Sequence, residues 1–377
     1  MISAGEASGD MHAANLVRAL HEIDPNIQVK GMGSEQLRQT RTEIIVDCAD
    51  IAVMGIWEVI KKYCTIKKAL NLLVAELKRS PPDLLILVDY QEFNFRLAQT
   101  AKSMGIRVLF YIGPQVWAWR SKRVHTIGKK IDHMAVLFPF EEDFYREANI
   151  PVTFVGHPLV DEAKASHSVE QCLQKYGLDG TQPIVGLFPG SRRSEVQKIL
   201  PCLLESAAKI LQKRPNLQFI LPQASTISEQ DLQPHLAQYP DLPITVLRDS
   251  PYNVMQVCSA IAVASGTATL EIALMGIPNL IVYKLAPLSY WILKRMITID
   301  NIGLVNIVAE KMIVREFIQH EASADNIVNE LEKLLDSGDY RQNMIAALGQ
   351  VKAKLGKPGG SKHIAELAFK MLNQATK

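Results

Sequence analysis

Short apolar runs recur along this chain, and most are apolar at every position instead of at every second one. A strand of that kind has both faces covered, the condition of a parallel sheet with helices on either side. The runs are Ile27–Lys30, Ile44–Val46, Leu84–Val88, Val108–Tyr111, Met134–Leu137, Thr153–Val155, Val185–Phe188, Gln218–Leu221, Ile244–Val246, Ile261–Ala264 and Asn279–Val282. Segments of helical period fill the spaces between them, so the chain reads as α/β of doubly wound type. The rhythm pauses once. After FVGHPLVD (Phe154–Asp161) a polar stretch, Ala163–Gln171, intervenes before the pattern restarts at Ile184. This predicts two Rossmann-like domains, residues 1–161 and 162–358, facing a central cleft. A final helix, Gly359–Lys377, would cross back to the first. At 377 residues, each half is long enough to bury its own core.

Composition narrows the partners. A net charge of +2 gives no basic field for nucleic acid. The five cysteines (Cys48, Cys64, Cys172, Cys202, Cys258) form no CxxC pair and match no histidine spacing, so they read as free thiols in a reducing compartment. The longest charge-free run, Ser250–Leu270, contains Pro251, Asn253, Gln256 and Gly266, and reads as a buried helix plus a strand; no transmembrane helix is predicted. The chain opens directly on MISAGEASGD, without a signal peptide. Only Met1–Ile2 stand where a strand should precede the SAGEASGD turn, which leaves open a start further upstream.

The second half carries two turns of one kind. In VGLFPGSRRSEV (Val185–Val196) a buried strand turns on Pro189-Gly190-Ser191 into a helix. Such a turn presents unpaired backbone N–H groups and the positive end of a helix dipole, and Arg192 and Arg193 add cations that can fork onto phosphate oxygens. In ASGTATLE (Ala264–Glu271) a second strand runs into Ser265-Gly266-Thr267, and Glu271, one turn into the helix, could accept hydrogen bonds from a ribose diol. Two such turns argue for a nucleotide-diphosphate site, although GxGxxG and GK[ST] are both absent and GMGSEQ (Gly31–Gln36) fails the former at its last position. No DxD pair is present, so no metal is expected. Arg192 and the helix N-termini would then have to balance a departing diphosphate.

The first half supplies candidates for chemistry. Ser3–Asp10, SAGEASGD, reads as a tight turn at a strand exit, with Glu6, Asp10 and His12 toward the cleft. Asp89 follows the apolar strand Leu84–Val88 directly, where burial raises a carboxylate's pKa and suits it to general-base work. Glu92 is its rival, and an N-cap for the following helix is the plainer alternative. Tyr111–Arg120, YIGPQVWAWR, is an aromatic loop fit for core packing or for an apolar or sugar-bearing ligand. Met54–Lys78 reads as a helix that mixes apolar bulk (Trp57, Val59, Ile60, Tyr63, Ile66) with Lys61, Lys62, Lys67 and Lys68. That pattern fits either a core helix with a solvated edge or a helix lying on an anionic membrane.

These segments, SAGEASGD, AVMGIWEV, VDYQEFN, GPQVWAWR, FPFEEDFY, FVGHPLVD, PGSRRSE and ASGTATLE, occur in this order in lipid-A-disaccharide synthases, which the chain resembles from residue 3 to beyond 300. The resemblance implies a glycosyltransferase type B fold and an inverting transfer between UDP-2,3-diacylglucosamine and 2,3-diacylglucosamine 1-phosphate (lipid X). No cofactor is implied. It further implies Asp89 as the base, Ser191, Arg192, Ser265, Gly266 and Thr267 on the diphosphate, Glu271 on the ribose and Asn306 near the nucleotide. Glu6, Ser8, Asp10 and Trp117 would face the acceptor. Trp57, Val59, Ile60 and Tyr63 would form a patch on the cytoplasmic face of an inner membrane, and a homodimer is suggested. This chain has DYQEFN where the family commonly has DxPDFN, which keeps Asp89 but leaves Glu92 without an assigned role. The rival readings are another UDP-sugar enzyme of the same fold and a non-catalytic nucleotide-binding or membrane-scaffold protein.

Overall fold

The computed structural model describes residues 1–51, 62–119, 123–285 and 301–374, without the side chain of Trp119. The chain divides into two compact units, one comprising Met1–Pro158 with Leu355–Lys377 and the other Leu159–Lys354. Leu159 opens a short helix, Leu159–Glu162, that packs on Ala268–Leu274. FVGHPLVD is therefore split after its proline instead of closing the first unit.

The first unit is built on seven strands: β1 Ile2–Ala4, β2 Lys30–Gly33, β3 Glu43–Asp47, β4 Leu84–Val88, β5 Arg107–Tyr111, β6 His133–Val136 and β7 Val152–Phe154. They pair in the order β3-β2-β1-β4-β5-β6-β7, and every neighbouring pair is parallel. All five residues of β4 are buried, as its uninterrupted apolar run requires. The last helix, Gly360–Gln374, packs along Ala7–Ile23. Its carbonyl end is held by Arg107, whose guanidinium donates to the Met371 and Gln374 oxygens at 2.9 and 3.0 Å.

The second unit repeats the plan with six strands: β8 Ile184–Phe188, β9 Gln218–Pro222, β10 Ile244–Leu247, β11 Ala260–Ala264, β12 Asn279–Tyr283 and β13 Glu316–Ile318. Their order is β10-β9-β8-β11-β12-β13, again wholly parallel. In each sheet the winding reverses at one place, between β1 and β4 and between β8 and β11. Loops leaving those carboxyl ends diverge to opposite faces of the sheet and leave a crevice for a ligand.

Three strands depart from the expectations. β1 takes in Ser3 and Ala4, so a strand does precede the turn, and SAGEASGD is turn only from Gly5. β2 lies at Lys30–Gly33 and not at Ile27–Lys30, because Gly31 permits the approach to β1. Its φ is +152°, and a Cβ there would stand 1.8 Å from the Ile2 carbonyl oxygen. β13 was not anticipated, since Glu316 interrupts its apolar run. The cysteines remain thiols, and all but Cys64 are buried.

Candidate active site

The second unit's crevice is a cavity of about 580 Å³. Its walls include Phe188–Arg192, Pro222–Ser225, Asp249, and Val263–Ala268 with Glu271. The two turns picked out in the sequence therefore meet in one place, at the carboxyl ends of β8 and β11.

Arg192 is the N-cap of the helix Arg193–Lys213, and its side chain is 78% exposed. The Glu195 carboxylate lies across this turn. Its Oε2 accepts from the Ser191 and Arg192 N–H groups at 3.1 and 3.2 Å, and its Oε1 accepts from the Arg192 guanidinium at 3.0 Å. Thr226 holds the turn from the next loop by donating to the Ser191 carbonyl at 2.5 Å. Arg193, expected as a second phosphate cation, is engaged by Asp231 at 3.2 Å.

At the second turn Gly266 and Thr267 are exposed, while Ser265 donates from Oγ to the Ile302 carbonyl at 3.3 Å. The following helix, Ala268–Leu274, is only seven residues long, so the turn offers groups for hydrogen bonding more than a helix dipole. Burial raises the pKa of the Glu271 carboxyl, while a hydrogen bond from the Tyr252 hydroxyl, donated to Oε1 at 3.0 Å, opposes the rise.

Asn306 lies in the helix Leu304–Ala309 and is fully buried. Its Nδ2 donates to the Val314 carbonyl and to Glu316 Oε1, both at 2.7 Å, and its Oδ1 accepts from the Ile313 and Val314 N–H groups at 2.9 Å. With both amide hydrogens and both lone pairs taken, Asn306 shapes the loop beside Ser265 and has nothing left to offer a nucleotide. Gln223, Ser225 and Asp249 line the cavity and were missed. They sit on loops without the glycine that marked the other two turns.

In the first unit Asp89 follows β4 directly. Asp89 and Tyr90 both take left-handed backbone, with φ of +50° and +44°, which costs a non-glycine residue about 1–2 kcal/mol each. The fully buried Asn94 secures this strained turn. Its Nδ2 donates to the Asp89 carbonyl at 2.7 Å, and its Oδ1 accepts from Ser3 Oγ at 2.7 Å, which ties β4 to β1. Asn94 is the last letter of VDYQEFN, and that position was its only signal. Burial, and next the charge of Glu6, push the Asp89 carboxyl up to about 6. Glu92, the rival, is a solvent-facing group paired with Arg123 at 2.5 Å. A cavity of about 430 Å³ opens beside Asp89, with Glu6, Tyr63, Ile66, Leu70, Phe93 and Arg96 among its lining.

The acceptor-side residues divide. Glu6 and Ser8 are exposed at the start of the helix Ala7–Ile23. Asp10 is buried, and its carboxylate accepts from the N–H groups of Ser34 at 2.7 Å and Gln36 at 2.9 Å, so it caps the helix Glu35–Arg38. His12 is pushed down to about 4 by burial and is neutral at physiological pH. Trp117 is half-buried; its indole donates to Glu141 at 3.0 Å and its ring meets Phe140 edge-on. Glu141 also accepts from the Leu137 and Phe138 N–H groups, which fixes the tryptophan loop to FPFEEDFY. Tyr63 begins the helix Tyr63–Arg79 and is 51% exposed; Trp57, Val59 and Ile60 lie outside the described residues.

A family model described as lipid-A-disaccharide synthetase matches residues 1–367. The chain is 48% identical over 374 residues to the lipid-A-disaccharide synthase of Geobacter sulfurreducens, covering 99% of this chain and 97% of that one.

The chain belongs to the lipid-A-disaccharide synthase family.

It is a glycosyltransferase of lipid A biosynthesis. Among solved structures, the UDP-GlcNAc 2-epimerase of Neisseria meningitidis bound to UDP-GlcNAc superposes with a TM-score of 0.66 at 13% identity, covering 98% of this chain and 99% of that one. The glycosyltransferase of kitacinnamycin gives 0.63 at 13% identity and 98% of each chain. Both carry the fold of the glycosyltransferase B type. The first unit offers a carboxylate of raised basicity, and the second a cavity lined by turn residues with hydroxyls, backbone N–H groups and an arginine.

Asp89 makes the protein's stability depend on pH. Its folded pKa lies above the unfolded value, so the folded state keeps the proton to higher pH; the destabilisation is absent below about pH 4 and complete above about pH 6. Asp89→Asn, neutral throughout, should be more stable than the native protein by about 1–2 kcal/mol at pH 8. The difference should fade as pH drops toward 4. Urea titrations at three pH values would show this, and a constant difference would contradict it.

Proposed function

We propose that this chain transfers a 2,3-diacylglucosamine unit from its UDP donor to the 6-hydroxyl of lipid X. The products are a β-1,6-linked disaccharide 1-phosphate and UDP. The acceptor oxygen attacks the anomeric carbon from the face opposite UDP, the bond to the diphosphate breaks, and the configuration inverts. Asp89 takes the hydroxyl proton. A carboxyl with a pKa of about 6 is ionised at neutral pH yet more basic than an ordinary aspartate, which suits that task.

The observation that carries the donor assignment is the single cavity lined by both turns of the second unit. Ser191 and Arg192 from one turn and Ser265, Gly266 and Thr267 from the other would share the charge that develops on the departing diphosphate. Glu271 would accept from the ribose hydroxyls, steadied by Tyr252. In the first unit, the cavity beside Asp89 combines apolar Ile66, Leu70 and Phe93 with the cations of Lys67 and Arg96. Those features match an acceptor bearing acyl chains and a phosphate. Glu6, Ser8 and the Trp117 loop would complete that side.

Substrates with acyl chains reside in a bilayer. Among the described residues no helix is long and apolar enough to cross one. We place the protein peripherally on the cytoplasmic face of the inner membrane, held through Trp57, Val59, Ile60 and the exposed Tyr63, with Lys67 and Lys68 nearby in sequence.

Two measurements test this reading. Asp89→Asn should lower kcat by about 10²–10⁴-fold while UDP affinity stays within about twofold. Unchanged turnover would remove Asp89 as the base. Replacing Trp57, Val59, Ile60 and Tyr63 together by serine should reduce co-sedimentation with vesicles containing anionic lipid at an unaltered melting temperature. A variant that fails to fold would show instead that these residues are core.

A further inference from the structure

The turn assigned to the diphosphate already holds an anion of the protein's own. Three donors that point to one spot, the N–H groups of Ser191 and Arg192 and the guanidinium of Arg192, all bind the carboxylate of Glu195. A carboxylate and a phosphate are alike in the geometry that such donors recognise. The chain also makes room for this contact. Gly190 has φ +105°, and a Cβ on it would lie 2.3 Å from Glu195 Oε2. The side chain of Glu195 is 23% exposed and lines the same cavity as Ser265, Thr267 and Glu271.

An acidic residue at this position commonly bonds the N-cap N–H and so closes a capping box. Here the carboxylate extends past the cap, to the turn residue before it and to a cationic side chain. A diphosphate brought to these donors meets a negative charge in its place, and two anions cannot share three donors without strong repulsion.

We propose that Glu195 is an internal placeholder for the diphosphate. It occupies the turn, keeps the turn's N–H groups aligned, and is displaced when a nucleoside diphosphate binds. This rests on the reading of the cavity as the UDP site. Its consequence is self-competition. Every nucleotide must displace Glu195, which lowers affinity for UDP, and the returning carboxylate helps to expel UDP once transfer is complete.

Calorimetric titration of the full-length protein with UDP and with uridine tests the idea. Glu195→Gln keeps an acceptor for the turn but removes the charge, and should bind UDP about five- to tenfold more tightly with uridine affinity unchanged. Glu195→Asp keeps the charge one methylene short of Ser191 and should shift UDP affinity in the same direction, so the test survives if one variant folds poorly. UDP affinity that is equal or weaker in both variants would overturn the placeholder and leave Glu195 as a plain helix cap. A native protein that binds no UDP would overturn the nucleotide assignment, and the placeholder with it.

Discussion

Everything functional in this chain depends on where parallel strands end. A parallel sheet sends all its carboxyl ends to one edge. Where the order of winding reverses, two adjacent loops part to opposite faces, and no helix fills the gap. This occurs once in each sheet, at β1 and β4 and at β8 and β11. Gly5–Asp10 and Asp89 leave the first pair of strands, while Pro189–Arg192 and Ser265–Thr267 leave the second. The two sheets share a construction, and the residues at the reversal set their different chemistry. One presents a carboxylate, and the other presents backbone N–H groups with an arginine.

The same locations hold conformational and electrostatic cost. Asp89 and Tyr90 stand in left-handed backbone, and the Asp89 carboxyl is held where solvent does not easily stabilise its charge. Such features persist only when their surroundings over-determine them. Here Asn94 does so by joining the Asp89 carbonyl to Ser3, and the buried sheet beneath supplies the stability that the turn consumes. In the second unit the comparable tension lies at the turn whose donors, proposed for the diphosphate, bind the Glu195 carboxylate. Both arrangements give up local stability at a place where a substrate is expected to act.

The strands were legible because burial on both faces leaves an uninterrupted apolar run, as in Leu84–Val88 and Ala260–Ala264. Where a strand departs from that pattern the sequence misleads. Glu316 hides β13 because its charge is satisfied by the Ile302 and Gly303 N–H groups at 2.9 Å, which lie far from it along the chain. The small residues Ser3 and Ala4 read as turn although they are paired in the sheet. Polar residues inside motifs were the harder problem. Asp10, Asn306 and Asp89 look alike as candidates for ligand contact, but two of them spend their hydrogen-bonding capacity on distant backbone. Only the folded arrangement distinguishes a side chain that is satisfied internally from one that faces a cavity. The groups on Gln223, Ser225 and Asp249 were invisible for the complementary reason: no local pattern marks a loop that acquires its role from its neighbours.

The proposed transfer joins two acylated sugars, with Asp89 as the proposed base and the second unit's cavity as the proposed donor site. Its most direct test is the release of UDP by the purified protein given UDP-2,3-diacylglucosamine, with and without lipid X, in the presence of a chelator. The account predicts release only when lipid X is present, and undiminished by the chelator. Release that is independent of lipid X, or turnover of UDP-N-acetylglucosamine with none of the diacyl donor, would contradict it.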